Sequence, residues 1–354
     1  MVKKKMITFG LLGLGRVIEK RVANVFLKEL NNSKVIGVFD TNRKKNDFFS
    51  KLFKCKQNNS LNSFLNNRFD FIYIATESGN HYNHIKKCFE KNHNVIVEKP
   101  PVLKITQLEE LNKIANKKKL KFYSIYQNRL NKSVEFCKNY LDENNQKVIF
   151  STLNLNWSRD QKYYNDWHGN WKMDGGVAAQ QGIHYIDILC YFFGNPIKTI
   201  SHISNKTNIL QAEDTHSSLI VFKNNITCTC NFTTALRPDD HEASIKIVLR
   251  DEIFSLEGLC CNKIKHYNLT KKTNKKMNNL CKINSEIVNN GYGNSHYRSL
   301  QKIIDYSLKN KKEKPLRAIE TLPSLKLLNM MYMSFERNKW IYFKNKKISS
   351  KLGL

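Results

Sequence analysis

The stretch Asn94-Val95-Ile96-Val97-Glu98-Lys99-Pro100-Pro101 decides how the rest of the chain is interpreted. Its first half is a short apolar run of β-branched residues, which is typical of a buried strand in a parallel sheet. The run ends in a charged pair and two prolines, which cannot continue a sheet ladder. Because ligands of open α/β sheets bind at the carboxyl ends of the strands, we expect Glu98 and Lys99 at the mouth of a site. A single lysine in a lysine-rich chain is more often a surface residue. The interpretation of Lys99 as a site residue therefore depends on the motifs on either side of this stretch.

The amino-terminal segment contains a glycine-rich turn. A strand predicted at Ile7–Leu12 runs into Gly13-Leu14-Gly15-Arg16-Val17-Ile18, and a helical pattern follows. Strand, glycine turn and helix is the context of a dinucleotide-binding motif, because the glycines let backbone N–H groups approach a pyrophosphate. The third position of the motif is normally Gly or Ala and is Ile18 here, so the motif alone is weak evidence.

The second predicted strand, Val35–Phe39, ends at Asp40. An acidic residue at this place can accept hydrogen bonds from the adenosine ribose hydroxyls, and it would repel a 2′-phosphate. This favours NAD as the cofactor, with NADP as the less favoured choice. Arg43 and the two lysines after it could bind that phosphate, and Asp40 could instead be a turn residue that caps the next helix.

The alternation of strands and helices continues to Ile125 and then stops. Up to that point the pattern predicts a doubly wound α/β fold. Beyond it, short strands separated by turn residues predict an antiparallel sheet, accompanied by an apolar helix at 176–193. We therefore predict an NAD(P)-binding Rossmann domain at 1–125. An α+β domain with an open, mostly antiparallel sheet should occupy 126–354, with roles in substrate binding and oligomerisation.

Charge, cysteine content and hydropathy limit the classes of protein that fit. The 354 residues carry a formal net charge of +29, and the lysines are dispersed along the chain. This charge alone does not indicate nucleic-acid binding. Nine cysteines lack Cys-x-x-Cys spacing, and we recognise no secretory signal, which predicts reduced thiols in a cytoplasmic protein without a metal site. No apolar run is long enough for a membrane span.

The apolar helix carries polar residues at helical spacing. Gln180 and His184 are four residues apart and share a face, and Asp187 is three residues further on. A histidine in such a helix is usually a packed core residue. It belongs to a site only if another domain presents a cofactor to that face, and the preceding α/β domain is predicted to bind one.

Together these motifs resemble those of the glucose–fructose oxidoreductase/inositol dehydrogenase (Gfo/Idh/MocA) family. The resemblance rests on Glu98-Lys99-Pro100 and on Gly182-Ile183-His184-Tyr185-Ile186-Asp187, and it extends from about Ile7 to Phe343. It implies an NAD(P)-dependent sugar oxidoreductase in which Lys99 is the catalytic lysine, preceding a cis proline bond, and His184 is the active-site histidine. The aromatic segment 157–176 is similar to the branch that contains nucleotide-sugar 3-dehydrogenases.

The resemblance also implies which residues form the binding sites. Gln180 stands where many members have Asp and the nucleotide-sugar branch often has Asn; Gln can orient a hydroxyl but cannot relay a proton. The side chains expected to line the sugar site could equally be packing residues. The residues implied for the cofactor are Gly13, Gly15, Arg16, Val17, Asp40, Thr41, Arg43, Thr76, His81, Glu98, Lys99 and Gln127. Those implied for the substrate are Lys99, Arg159, Tyr163, Trp167, Gln180 and His184.

The expected reaction is hydride transfer from a secondary alcohol, at the 3-hydroxyl of a UDP-N-acetylhexosamine or its uronic acid. This chemistry needs a base for the hydroxyl proton and a positive group for the developing alkoxide. We assign these roles to His184 and Lys99, and the reverse assignment stays open. Alternatives are a dehydrogenase of a free sugar or an inositol-like polyol, and a non-catalytic NAD-binding relative. We expect a small-molecule substrate, no nucleic-acid or membrane partner, and a homodimer or homotetramer.

Overall fold

Two sheets organise the chain in the computed structural model, which describes residues 5–144, 147–270, 274–343 and 348–354. Backbone contacts group the chain into two compact units. The first spans Met1–Val102, Thr106–Gln127 and Asn294–Thr321, and the second spans Leu103–Ile105, Asn128–Gly293 and Leu322–Leu354. The segment 294–321 therefore groups with the first unit, although it follows the boundary expected after residue 125. That boundary stays a prediction.

The sheet of the first unit is parallel. Its strands are β1 Ile7–Leu12, β2 Ser33–Phe39, β3 Lys56–Gln57, β4 Phe71–Ile74, β5 Val95–Val97 and β6 Phe122–Ser124. They lie in the order β3-β2-β1-β4-β5-β6, with parallel neighbours throughout the described pairs. Every residue of β4 and β5 is buried, because helices cover such a sheet on both faces. The predicted doubly wound fold is confirmed.

Helices connect these strands. They are α1 Arg43–Phe53, α2 Leu61–Leu65, α3 Ser78–Glu90 and α4 Ile105–Lys117, with a 3₁₀ turn at Gln127–Leu130. The helix expected after the glycine turn is present, but it contains two π-helical stretches, Ile18–Val22 and Val25–Glu29. Its apolar side chains pack against Phe9 and Tyr73 in one core. Asn42 and Ser60 cap α1 and α2 through their side-chain oxygens.

The second sheet is mixed and mostly antiparallel, as predicted. Its strands are β7 Phe150–Asn156, β8 Pro196–Ser204, β9 Thr215–Phe222, β10 Thr227–Thr233, β11 Glu242–Val248, β12 Glu252–Glu257, β13 Lys263–Asn268 and β14 Ile341–Tyr342. Their order is β13-β12-β11-β7-β10-β9-β8-β14, and among the described pairs β7 with β10 is the parallel one. In β10, Cys228 and Cys230 face inward while Thr229 and Asn231 are exposed, so one face of the sheet is covered.

The remaining helices are α5 Lys132–Asn144, α6 Ile183–Phe193, α7 Lys275–Ile283, α8 Ser295–Ser307 and α9 Leu322–Arg337. A π-helical stretch, Ala178–Gly182, leads directly into α6, where one apolar helix was predicted. Neither α7 nor β13 was predicted from the sequence. Helix α8 belongs to the first unit because Leu300, Ile303 and Ile304 complete its core.

Two absences hold for these described ranges. No helix there is long and apolar enough to cross a membrane, and no group of three or more metal-binding side chains is found. All nine cysteines lie in them and are free thiols. Cys228 and Cys230 place their Sγ atoms 3.9 Å apart on one strand face, as their spacing predicts.

Candidate functional site

The glycine turn after β1 is shaped for a close-lying ligand. Gly13 has φ of 84°, and a Cβ there would lie 2.7 Å from the backbone nitrogen of Thr76. Only glycine fits that position. A Cβ on Gly15 would meet nothing nearer than the carbonyl oxygen of Ala75 at 4.0 Å, so the turn is open on that side. A pyrophosphate therefore fits beside Gly15, where the following helix begins. Ile18, at the third motif position, is fully buried in the core instead.

Asp40, at the end of β2, braces this turn. One carboxylate oxygen accepts a hydrogen bond from the Leu14 N–H at 2.7 Å, and the other accepts from the Asn42 N–H at 2.8 Å. Each oxygen keeps a lone pair for a ribose hydroxyl. Lys45 is held by the Leu14 carbonyl at 3.2 Å and by Glu19 at 2.8 Å. Asp40 and the glycine turn therefore fit the adenosine half of NAD.

Two histidines of α3 lie near the ends of β4 and β5. The Thr76 hydroxyl contacts Nδ1 of His84 at 3.0 Å. The His81 ring is buried, with its nitrogens 2.9 Å from the Pro100 carbonyl and 3.0 Å from the Thr76 carbonyl. Burial lowers the pKa of His81, against the effect of the two carbonyl contacts, and lowers that of His84 to about 4, so the His84 ring is neutral near pH 7. His81 connects the two strand ends, and its contact with a cofactor stays a prediction.

Glu98 and Lys99 follow β5 as expected, and the Lys99–Pro100 bond is cis, which confirms that prediction. The Glu98 carboxylate is buried, accepts a short hydrogen bond from the Tyr73 hydroxyl, and lies 3.5 Å from Nε2 of His296. Its other oxygen contacts the Lys99 N–H at 3.3 Å. Burial alone would raise the pKa of Glu98, but His296, Tyr73 and Lys99 outweigh it and the pKa is lowered. The group is therefore a buried carboxylate anion.

Four further predicted cofactor residues have side chains of differing exposure. Arg16, Thr41 and Arg43 are exposed, and Gln127 is buried. All four belong to the first unit. Their contact with a cofactor stays a prediction, as does that of the half-buried Val17.

In the second unit, a buried glutamate anchors the start of the helix that carries Gln180 and His184. The Glu213 carboxylate accepts hydrogen bonds from the Ala178 N–H at 3.2 Å and from the Tyr332 hydroxyl at 2.9 Å. A negative group is favourable at a helix amino terminus. A Cβ on Gly176 would lie 2.1 Å from the Glu213 carboxylate, so this glycine is required for the anchor.

Asp187, at the end of the Gly-Ile-His-x-x-Asp segment, is a second anchor. Its side chain is fully buried and accepts hydrogen bonds from Nε and Nη2 of Arg129 at 2.5 and 2.7 Å. The Ser324 hydroxyl donates a third at 2.6 Å. This two-point contact with a guanidinium joins α6 to the 3₁₀ turn and to α9. Asp187 thus fixes the helix that carries His184.

Predicted substrate residues meet at Tyr163. Its hydroxyl donates a hydrogen bond to Oε1 of Gln180 at 2.7 Å. Its ring lies 4.2 Å from that of His168, on which Trp167 stacks at 3.8 Å. Burial raises the pKa of Tyr163 well above its ordinary value, so the hydroxyl stays a neutral donor. The aromatic segment therefore forms one cluster with the first turns of the His184 helix.

Arg159 borders the same cluster. Its guanidinium lies 5.5 Å from the centre of the Tyr163 ring and 5.2 Å from that of Trp157. Nη1 also pairs with Asp240 at 2.7 Å, and this carboxylate raises the pKa of Arg159 although burial opposes it. The cation is thus fixed beside aromatic faces.

The structure groups the predicted residues by unit. Those expected at the cofactor, with Lys99, belong to the first, and Arg159, Tyr163, Trp167, Gln180 and His184 belong to the second. Sequence reasoning missed Tyr73, His296 and Glu213, which are far in sequence from the carboxylates or helix ends they serve. A buried carboxylate needs partners, but no motif indicates which residues supply them.

Comparisons with known proteins give distant relatives that share most of the chain. The "Oxidoreductase P35" of Formosa agariphila is 25% identical over 68% of this chain and 76% of its own length. Glucose-6-phosphate 3-dehydrogenase of Bacillus subtilis is 23% identical over 68% and 71%. The crystal structure of the WlbA dehydrogenase from Bordetella pertussis, in complex with NADH and UDP-GlcNAcA, matches with a TM-score of 0.87 at 22% identity. It covers 97% of this chain and 99% of that one, which establishes a shared fold.

Family models cover both parts of the chain. The NAD-binding Rossmann fold of an oxidoreductase family matches residues 7–126. The C-terminal alpha/beta domain of the same family matches residues 146–343. The motifs at Glu98-Lys99-Pro100 and His184 lie inside these two matches. The chain therefore belongs to the Gfo/Idh/MocA family of NAD-binding oxidoreductases.

Proposed function

We propose that this protein oxidises the 3-hydroxyl of a UDP-linked N-acetylhexosamine, or of its uronic acid, with NAD as the cofactor. Family membership supports the oxidoreductase chemistry. The observation that carries the choice of substrate is the cluster of Tyr163, Trp167, His168, Gln180 and Arg159. Aromatic faces suit the apolar faces of a sugar ring. The fixed Tyr163 phenol and Gln180 amide would orient its hydroxyls through hydrogen bonds.

The rest of a nucleotide sugar carries two phosphates, which suit a positive protein. Arg159 and a net charge of +29 both favour an anionic substrate. The fold shared with the WlbA dehydrogenase, which was crystallised with UDP-GlcNAcA, is consistent with this proposal. So is a relative named for oxidation at carbon 3 of glucose 6-phosphate.

In the proposed reaction, His184 accepts the proton of the reacting hydroxyl, and the Lys99 ammonium hydrogen-bonds the same oxygen. Bound NAD supplies the chemistry of accepting the hydride. Positive charge at the oxygen stabilises the alkoxide as it develops. Gln180, whose Oε1 is held by Tyr163, orients a neighbouring hydroxyl without taking a proton. The proposal requires both side chains at one hydroxyl, and the reverse assignment of their roles stays open.

The cofactor assignment within this proposal follows from the first unit. Backbone N–H groups at the turn of Gly13 and Gly15 would bind the pyrophosphate, and Asp40 would bind the adenosine ribose. Thr76 and Glu98, at the ends of neighbouring strands, would border the nicotinamide half. These residues lie at strand ends, where ligands of doubly wound sheets bind.

A substrate panel tests the proposal. The purified protein with NAD is offered UDP-N-acetylglucosamine, its uronic acid, glucose 6-phosphate and scyllo-inositol, and NADH formation is followed by absorbance. We expect kcat/KM for a nucleotide sugar to exceed that for the other compounds by at least about tenfold, the factor that 1.4 kcal/mol of differential binding gives. Turnover of scyllo-inositol or glucose 6-phosphate alone would leave the dehydrogenase chemistry intact and overturn the nucleotide-sugar proposal.

We also propose that the protein is a homodimer or homotetramer in the cytoplasm. The face of the second sheet that bears Ser217, Thr229 and Asn231 is exposed, and Phe150 and Ile197, on the inner strands β7 and β8, add exposed apolar side chains. Free thiols suit a reducing compartment. Size-exclusion chromatography with light scattering should give two or four protomer masses, and a single protomer mass at micromolar concentration would contradict the proposed assembly.

A further inference from the structure

A buried acid network lies next to Lys99 in the first unit. The Glu98 side chain is only 8% exposed and that of His296 only 1%. Tyr73, on β4, is fully buried and donates its hydroxyl to the same carboxylate oxygen that His296 approaches at 3.5 Å. The network thus joins two strand ends to α8, which lies nearly 200 residues further along the chain.

The partners of Glu98 are unusual for a buried carboxylate. A buried anion is costly unless a cation or several donors compensate it. Here the compensation comes from a phenol, an imidazole and the backbone N–H of Lys99, all of which are weaker than a guanidinium. The other titratable groups that interact electrostatically with Glu98 are the Lys99 ammonium and the buried His81.

His296 also interacts electrostatically with Glu29, whose carboxylate pairs with Arg21. Arg21 and Glu29 lie in the two π-helical stretches after the glycine turn. Arg21 also donates to the Asn294 carbonyl at 3.2 Å, directly before α8. The start of α8, which carries His296, is therefore joined to the π-helical stretch of Arg21.

We propose that Tyr73 and His296 are positioning residues for Lys99. They keep the Glu98 carboxylate ionised and in place, so that it holds the Lys99 backbone and balances the charge of the ammonium group. This inference rests on the proposed role of Lys99 in the reaction. It adds two residues that touch neither substrate nor cofactor, but on which the charge at the catalytic lysine depends.

The expected pH behaviour follows from the loss of either partner. Removing Tyr73 or His296 raises the pKa of Glu98, because each lowers it against the effect of burial. The carboxylate becomes protonated at a higher pH than in the parent. The acid limb of the kcat/KM profile should therefore move to higher pH, while the rate on the plateau above it changes little.

Tyr73→Phe and His296→Gln test the inference, each measured on whichever sugar the parent oxidises. The acid limb should shift upward by roughly 1–2 units, which corresponds to losing one hydrogen bond to a carboxylate. Matched controls are Tyr123→Phe, at another buried tyrosine of the first unit, and His93→Gln, at a buried histidine bonded to the Leu65 carbonyl. The controls should leave the acid limb in place. An equal loss of rate at all pH values, without a shift, would overturn the inference.

An activity-free measurement separates this inference from the proposed function. In protein labelled with ¹³C at lysine Cε, the Lys99 signal is identified by its loss in Lys99→Arg. It should show a step where Glu98 titrates, and that step should move to higher pH in Tyr73→Phe and in His296→Gln. If the pH of this step in the Lys99 signal is the same in both variants as in the parent, the inference is contradicted, whether or not the parent oxidises a sugar. If one variant does not fold, the other decides the result.

Discussion

Two buried carboxylates stand beside the proposed catalytic residues, and they are neutralised in different ways. Asp187, three residues after His184, is held by Nε and Nη2 of the Arg129 guanidinium and by Ser324. Glu98, directly before Lys99, is held by Tyr73 and His296. The guanidinium forms two parallel charge-assisted hydrogen bonds with Asp187, whereas Glu98 has single contacts with a phenol and an imidazole.

These different partners indicate different roles for the two carboxylates. The two-point contact with Arg129 makes Asp187 an anchor that fixes the helix of His184. The partners of Glu98 are two separate side chains that can be removed one at a time, and we propose that this carboxylate sets the electrostatic environment of Lys99. Similar motifs in the sequence, an acid next to a candidate catalytic base or cation, therefore perform different tasks.

Breaking the Asp187 anchor should have the largest effect. Arg129→Met leaves a fully buried carboxylate without its cation, and we expect the free energy of unfolding to fall by about 3–5 kcal/mol. Urea unfolding followed by circular dichroism measures it. The matched control is Lys138→Met, because Lys138 also lies over the Tyr191 ring but pairs with Asp142 on the surface. The control should cost at most ~1 kcal/mol; equal losses in the two variants would refute the anchor.

Removing the proposed catalytic groups should reduce turnover without unfolding the protein. Lys99→Ala and His184→Ala should each lower kcat by ~10²–10³-fold, since each removes an acid–base or charge-stabilising group. NADH binding, measured by fluorescence, should stay near that of the parent. Lys118→Ala, at an exposed lysine of the first unit that hydrogen-bonds the Phe89 carbonyl, should leave kcat unchanged. Parent-like turnover in both alanine variants would make the assignment wrong.

The pH dependence of stability should come from the first unit's titratable groups. The pKa of His84 is lowered from 6.5 to about 4, so the unfolded chain binds more protons than the folded chain between these values. Stability is therefore fully present above pH 6.5 and falls as the pH drops towards 4. His84→Gln should flatten the curve of unfolding free energy in that window. An unchanged slope would show that other groups, such as His81, account for it.

The smallest effect is expected at the cofactor's ribose. NADH should bind more tightly than NADPH, because the Asp40 carboxylate repels a 2′-phosphate. Asp40→Asn keeps the shape of the side chain, removes the charge, and should narrow the ratio of the two dissociation constants by about tenfold, or 1.4 kcal/mol. Fluorescence titration with both nucleotides measures it. Equal affinities in the parent would show that Arg43 and Lys44 outweigh the carboxylate.

The sequence predicted the elements whose signals are local. Apolar runs located the parallel strands, the glycine turn located the dinucleotide motif, and alternation located most strands of the second sheet. It did not predict that α8 packs with the first unit. Leu300 and Ile304 give the spacing of an amphipathic helix, but that spacing does not indicate which core the helix packs against. Tyr73 and His296 were missed for the same reason: contacts between residues far apart in sequence leave no periodic signal.

The proposed reaction transfers a hydride from carbon 3 of a nucleotide sugar to NAD. The most direct measurement uses UDP-N-acetylglucosaminuronic acid that carries deuterium at carbon 3, incubated with NAD and the protein, followed by mass spectrometry of the NADH formed. The account predicts NADH that is heavier by the mass difference between deuterium and hydrogen, with Lys99→Ala forming far less of it. Unlabelled NADH, with the deuterium retained in the sugar, would contradict oxidation at carbon 3, and no NADH from any nucleotide sugar would contradict the substrate.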